Sequence, residues 1–292
     1  MGLIKLDDSS ASVLDKDKVC APGTNFLAGS CIPLDLLVEM ANSYNNKNKN
    51  KIKLYKNLDT LNPKKYKNYL VKQFKNRLSD ICKDQKCWVK QNFVNDLKKE
   101  MTHYLKKLTF RPSGPNGKFT WLNTLNVNNV MHQYENKHDD FKFYGAVPID
   151  FDDLPELKIK NINFNDLEKK EKISKLGFVF NLDESWKSGS HWVALHSDLK
   201  KGQVYFFDSY GIRPEKRIRS LMRRIERYMR EKGIKNPDVN YNKVRHQYKN
   251  SECGVYSLHF IIKMLEGNSF NDVTQNIVSD DDINKCRKIY FR

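Results

Sequence analysis

His191-Trp192, Asp208, Gln247 and the run Ser251-Glu252-Cys253-Gly254 are the residues of this chain best suited to chemistry, and they occur in that order. They supply an imidazole, a carboxylate, an amide and a thiol, which together make nucleophilic acyl transfer possible. A thiol becomes a good nucleophile at neutral pH when a neighbouring imidazole takes its proton. The imidazole in turn needs a carboxylate or amide to fix its tautomer, and the developing oxyanion needs hydrogen-bond donors. The sequence therefore predicts Cys253 as nucleophile, His191 as base, Asp208 as its orienter and Gln247 as an oxyanion donor.

The elements that must position these groups can be read from local patterning. Leu176 to Leu182, Trp192 to His196 and Val204 to Ser209 are short runs rich in Val, Phe or Trp with turns between them, which predicts an antiparallel meander. In such a meander the start of one strand lies beside the end of the next, so Asp208 falls near His191. A short strand is expected around Gly145 to Phe151, and a final one from Asn240 to Gln247. Pro214 begins an amphipathic helix with Ile218, Leu221, Met222, Ile225 and Met229 on one face and arginines on the other, ended by Gly233. Ser251 is read as the cap of an apolar helix, Val255 to Leu265, stopped by Gly267. Cys253 then sits in its first turn, where the helix dipole favours a thiolate and backbone N–H groups are free. This half of the chain reads as α+β.

Other candidates compete for each role. His103, His132, His138, His196, His246 and His259 are alternative bases. His259 lies about 240° around the helix from Cys253, and His196 falls on the opposite strand face from His191. Asp208 also reads as a turn-initiating aspartate before Ser209-Tyr210-Gly211, and Gln247 as a solvent-facing glutamine. Cys286, in Lys285-Cys286-Arg287, has basic neighbours but no base in the sequence around it and is assigned no role.

The chain has 292 residues, 39% of them apolar and 12% aromatic, enough for a substantial core and unlike a disordered chain. It contains no run of eighteen apolar residues, so no membrane span is expected. The stretch Met1 to Asp8 lacks the apolar core of a secretory signal. The net charge of +17 has two readings, solvated faces that keep the chain soluble or contact with a polyanion such as nucleic acid. Lysines from Lys47 to Lys107 and the arginines near 215–230 carry most of it, without an accompanying nucleic-acid motif.

Two prolines and two glycines within 112–117 mark a boundary. Before it, helix-like spacing recurs over Pro33 to Tyr44, Tyr69 to Ile81 and Val94 to Leu108, which predicts a helical, lysine-rich domain over 1–110 followed by a catalytic core over 118–292. Six cysteines are too sparse for a disulfide scaffold and suit a reducing, intracellular setting. For Cys20, Cys31, Cys82 and Cys87 the expectation is buried thiols, or a disulfide formed only on oxidation. Their spacings are wider than paired zinc ligands take, so a zinc site ranks below these. No cofactor or metal is required by the chemistry above.

His-Trp, Asp, Gln and Cys-Gly in this order, with six residues from Gln247 to Cys253, resemble the ubiquitin-like-protein protease superfamily of cysteine peptidases. That group includes SUMO-specific proteases and the maturation proteases of adenovirus and African swine fever virus. The resemblance covers about residues 118–292, and the segment Trp121 to Phe151 looks like the start of such a core. It implies a papain-like fold, a central mixed sheet flanked by helices, with His191, Asp208 and Cys253 as triad and Gln247 at the oxyanion. It also implies that Trp192 covers a narrow tunnel admitting small residues, such as Gly-Gly before the cut. The Cys- and Lys-rich first part resembles the arm domain of the polyprotein-maturation proteases of large DNA viruses. Asp208 stands where some viral relatives have Asn, and either can orient an imidazole.

The function so implied is a cysteine endopeptidase that cleaves viral structural polyproteins after Gly-Gly-type sequences during virion maturation, in the virion and host cytoplasm. A variant within the same chemistry removes SUMO- or ubiquitin-like modifiers. A reading of another class makes the chain a basic nucleic-acid-binding protein with a vestigial site.

Overall fold

The computed structural model describes residues 18–55, 62–117 and 119–292, and the expectation for Met1 to Asp8 lies outside them. The chain divides into two compact units, one ending at Pro112 and the other spanning Ser113–Phe291.

The N-terminal unit is built from helices α1 (Leu34–Lys47), α2 (Pro63–Leu78), α3 (Gln85–Trp88) and α4 (Lys99–His103). Leu37, Met40 and Ala41 of α1, Leu70 and Phe74 of α2, Trp88, Phe93 and Leu105 close one core. Helix α2 starts six residues before the expected Tyr69, because Pro63 occupies its first turn and the Asn62 side chain accepts from the Lys64 and Lys65 N–H groups. The helix expected over Val94 to Leu108 is instead a 3-10 turn at Asn92–Asp96, then α4, then a π turn at Tyr104–Leu108. Extended backbone at Leu97 breaks the run, and the Thr102 hydroxyl donates to the Val94 carbonyl that a continuous helix would have used. Cys20–Cys31 and Cys82–Cys87 are disulfides, which corrects the expectation of buried thiols.

The second unit is a five-stranded mixed sheet in the order β1-β2-β3-β4-β5. The strands are β1 (Phe141–Pro148), β2 (Lys175–Asn181), β3 (Trp192–Asp198), β4 (Gln203–Phe207) and β5 (Asp238–Tyr241). The β2–β3–β4 meander is antiparallel, while β1 and β5 run parallel to their neighbours β2 and β4. Strand β3 is buried along its whole length and β2 along all but its ends, hence apolar runs in place of strict alternation. The first strand begins earlier than the expected Gly145, and β5 stops at Tyr241, so Gln247 lies in a loop and not at a strand end.

Helices α5 (Thr124–Lys137) and α8 (Cys253–Leu265) cover one face of the sheet; α6 (Phe164–Lys169) and α7 (Lys216–Glu231) cover the other. Short helices α9 (Phe270–Gln275), α10 (Asp280–Lys285) and α11 (Arg287–Tyr290) finish the chain. Only Lys263 of α8 escapes full burial, as expected of a helix apolar on every side. Each buried Leu, Ile or Phe contributes about 1.5–3 kcal/mol, so α8 is an anchored strut with its N-terminus aimed at the strand ends.

Candidate active site

The antiparallel register carries His191 and Asp208 to the same edge of the sheet. His191 immediately precedes β3, Asp208 immediately follows β4, and Ala194 pairs with Phe207. The loop before His191 is pinned at Asn181, whose side chain accepts from the Ser190 N–H while Gly189, at φ +90°, packs close against it. His191 Nε2 lies 2.7 Å from Asp208 Oδ1, and both side chains are buried. The Cys253 thiol lies beside the same imidazole, close enough to bear on its charge.

Burial pulls the His191 pKa down, but the Asp208 hydrogen bond, the contact with the Cys253 sulfur and the charges of both raise it to about 9. The other shifted histidines go the opposite way. Burial drives His196 to about 3 and His259 to about 4, and it lowers His138 and His246. His259 Nδ1 does approach a thiol, Cys286, at 3.8 Å, so Cys286 has a base nearby that the sequence around it did not reveal. Burial raises that thiol to about 11, so the pair stays neutral and inert. Two Cys–His pairs thus exist in one unit, and only one is arranged to hold charge.

Cys253 is the first residue of α8, and its N-cap is Glu252, not Ser251. No side chain caps this terminus, which leaves the first-turn N–H groups available to a substrate oxygen. Glu252 is engaged elsewhere, in a fully buried ion pair with Arg287 at 2.9 Å. Arg287 also donates to the carbonyls of Pro115 and Thr120. That network ties the start of α8 to the segment leading into Leu122.

Gln247 is fully buried in a loop that interlocks with the turn after Asp208. The Ser209 hydroxyl donates to Gln247 Oε1 at 2.6 Å, and the Ser209 carbonyl accepts from the His246 and Gln247 N–H groups. With the carbonyl end of the amide so fixed, its NH2 end is oriented; one hydrogen goes to the Lys249 carbonyl and the other is free to donate. Asn242 braces the aspartate, accepting from the Asp208 N–H at 2.8 Å and donating to its carbonyl. Ser209 and Asn242 were not singled out in the sequence. Ser209 stood beside Asp208 and could have been, whereas nothing local marks Asn242.

Trp192 is buried, and its indole N–H donates to the Leu122 carbonyl at 2.8 Å. Leu122 in turn packs so closely on Gly254 that a Cβ there would lie 3.0 Å from it. Beside Trp192 opens a cleft of about 490 Å³, walled by Trp121, Leu154, Leu157, Asn181 and Asp183 among others. No group of His, Cys, Asp or Glu that could hold a metal occurs among the described residues.

A family model described as the Ulp1 protease family, C-terminal catalytic domain, matches residues 161–292. A thiol protease of Acanthamoeba polyphaga mimivirus is 39% identical over 270 residues, 90% of this chain and 89% of the relative. The chain belongs to the Ulp1 protease family. It is a cysteine peptidase. The SUMO-1 cysteine protease of African swine fever virus is 24% identical over 211 residues, covering 68% of this chain and 75% of that protein. The crystal structure of the African swine fever virus protease superposes with a TM-score of 0.60 at 21% identity, over 82% of this chain and 93% of that one. That likeness supports the mixed sheet flanked by helices as a shared fold.

Proposed function

We propose that this Ulp1-family peptidase is an endopeptidase that cleaves structural polyproteins after Gly-Gly-type sequences during virion maturation, with Cys253, His191 and Asp208 as its triad. The observation that carries the triad is the single imidazole hydrogen-bonded to Asp208 at 2.7 Å with the Cys253 thiol close enough to help raise its pKa, where burial alone would lower it. In this reading the proton of Cys253 passes to His191, whose pKa is raised to about 9. The sulfur attacks the scissile carbonyl, and the Cys253 N–H and Gln247 Nε2 hold the oxyanion. His191 gives its proton to the leaving amine, and the C–N bond breaks to leave a thioester. A water then loses its proton to His191, attacks the thioester and releases the acid, and Cys253 leaves as the thiolate.

Selectivity for small residues rests on Trp192 and Leu122. The indole is tethered to the Leu122 carbonyl, and Leu122 presses on Gly254, next to the proposed nucleophile, an arrangement that suits a substrate with small side chains. The viral sources of the relatives support the maturation role, with action in the virion and host cytoplasm. The name of the African swine fever virus relative favours a second reading, removal of a SUMO-like modifier by the same chemistry. The basic face of α7, where Arg223 and Arg227 make no ion pair among the described residues, suits a polyanion tether to packaged substrate. That contact adds to the peptidase activity and does not replace it.

The test compares the parent and Cys253→Ala on a short Gly-Gly-X peptide and on a folded modifier ending in Gly-Gly. Efficient parent cleavage of the short peptide, abolished in the variant, supports the polyprotein reading. Cleavage that depends strongly on the modifier body moves the assignment to the second reading. Turnover by Cys253→Ala at the parental rate refutes the triad.

A further inference from the structure

The catalytic imidazole has two faces, and one is covered by a group the mechanism above does not use. The ring of Tyr210 stacks on His191 with centroids 4.5 Å apart and planes 16° from parallel. Tyr210 is placed there by the turn it belongs to: its N–H donates to Asp208 Oδ1 at 2.9 Å, the same oxygen that meets His191 Nε2. Only Ser209 separates Asp208 and Tyr210, so carboxylate and ring reach the imidazole from one short segment.

Tyr210 has a second ring contact as well. The Arg245 guanidinium lies over it at 5.0 Å and over the Tyr248 ring at 4.9 Å. Arg245 Nε donates to the Gln247 carbonyl at 2.6 Å. Gly211, at φ +72°, makes the approach possible, since a Cβ there would lie 2.9 Å from the Val244 backbone. Imidazole, phenol, guanidinium and phenol therefore touch in series as one stack of contacts, joined by Arg245 to the loop of the proposed oxyanion donor. The Tyr210 hydroxyl makes no hydrogen bond among the described residues, so the ring face carries the contact. The groups whose charge bears on Tyr210 are Cys253, Arg245, Asp208 and Asp280.

We infer that Tyr210 is a positioning residue of this site: its ring fixes the plane of the His191 imidazole, and Arg245 clamps that ring while tying it to the Gln247 loop. The inference rests on the reading of His191, Cys253 and Gln247 given above. A ring free to swing about its Cα–Cβ and Cβ–Cγ bonds would spend less time aligned with both Asp208 and Cys253. Stacked aromatic pairs and cation–π contacts are strong enough to suppress that swing. They also favour the charged imidazolium, because the π face is electron-rich.

The experiment measures kcat and KM on a Gly-Gly-X peptide and the rate of Cys253 alkylation by iodoacetamide, which needs no substrate binding. Tyr210→Phe keeps the ring and is expected within about twofold of the parent in both. Tyr210→Leu keeps bulk but has no π face; it is expected to lower kcat and alkylation together by about 3- to 10-fold with KM within twofold. Arg245→Met, at an exposed position, is expected to lower kcat in the same way by a smaller factor, and it decides the matter if Tyr210→Leu fails to fold. Parental kcat in Tyr210→Leu, equal losses in the Phe and Leu variants, or a rise in KM alone would each overturn the inference. Cys253→Ala as control separates the two levels: its inactivity beside an unaffected Tyr210→Leu rejects the stack and leaves the triad standing, whereas its activity rejects the triad itself.

Discussion

Replacing Asp208 with Asn tests whether the charge of the carboxylate holds His191 protonated. The imidazole sits at about 9 against an ordinary 6.5, in spite of burial that pulls it down. A gap of that size corresponds to about 3 kcal/mol in favour of the imidazolium, shared between Asp208 and the Cys253 sulfur. An opposite charge in direct contact accounts for about 1–3 pKa units. Asp208→Asn keeps a polar partner at Nε2 and removes the charge, so the His191 pKa falls by about 1–2 units. The proposed mechanism needs His191 protonated to expel the amine, so activity is expected to be lost as pH rises through the His191 pKa. In the parent that alkaline limb is expected near pH 9, and in the variant it moves into the neutral range. Stability has the same sign. A raised histidine pKa contributes fully below the unfolded value of 6.5, and the contribution is lost as pH climbs through about 9. The parent's Tm is therefore expected to fall between neutral pH and pH 9.5 by more than the variant's does. The assays are peptide turnover and thermal melting across pH 6–10. An alkaline limb that does not move in Asp208→Asn would show that the carboxylate charge does not set the imidazole, and the reasoning would fail.

Three further outcomes follow from the packing around α8 and in the N-terminal unit. Arg287→Met leaves Glu252 buried without its cation and should cost about 3–5 kcal/mol, read as a lowered urea midpoint; an unchanged midpoint would mean that the pair does not hold the start of α8. Gly254→Ala gains up to about 1 kcal/mol of helix propensity and meets a Leu122 contact at 3.0 Å that costs about 1–3 kcal/mol. Its melting temperature should therefore shift little or fall modestly. Peptide turnover should drop, because Leu122 also carries the acceptor for Trp192. Cys20→Ser with Cys31→Ser opens an eleven-residue separation and should remove about 2–3 kcal/mol from the N-terminal unit, seen as earlier protease cutting before Pro112.

Local chemistry made much of this protein legible in one dimension. The apolar runs at β2, β3 and β4 are strands in the places their residues indicate, because a strand buried on both faces must be continuously apolar. The faces of α7 and α8 were equally plain, since burial repeats with the helical period. From the meander alone, His191 and Asp208 had to share an edge, and the structure brings them to 2.7 Å. Other features depend on partners distant in the chain, and no local pattern encodes them. Glu252 finds Arg287 thirty-five residues on, Asp208 finds Asn242, and Cys286 meets His259, a base that its sequence neighbours do not supply. Gln247 reads as a strand end by composition, yet it is a loop residue held by Ser209. The electrostatic difference between the two Cys–His pairs is likewise tertiary. Both have the same atoms, but only at His191 does a buried carboxylate outweigh the desolvation that neutralises the other pair. Sequence determined which residues could react and which elements carry them; the fold decided which of them hold charge, because burial and partner placement exist only in three dimensions.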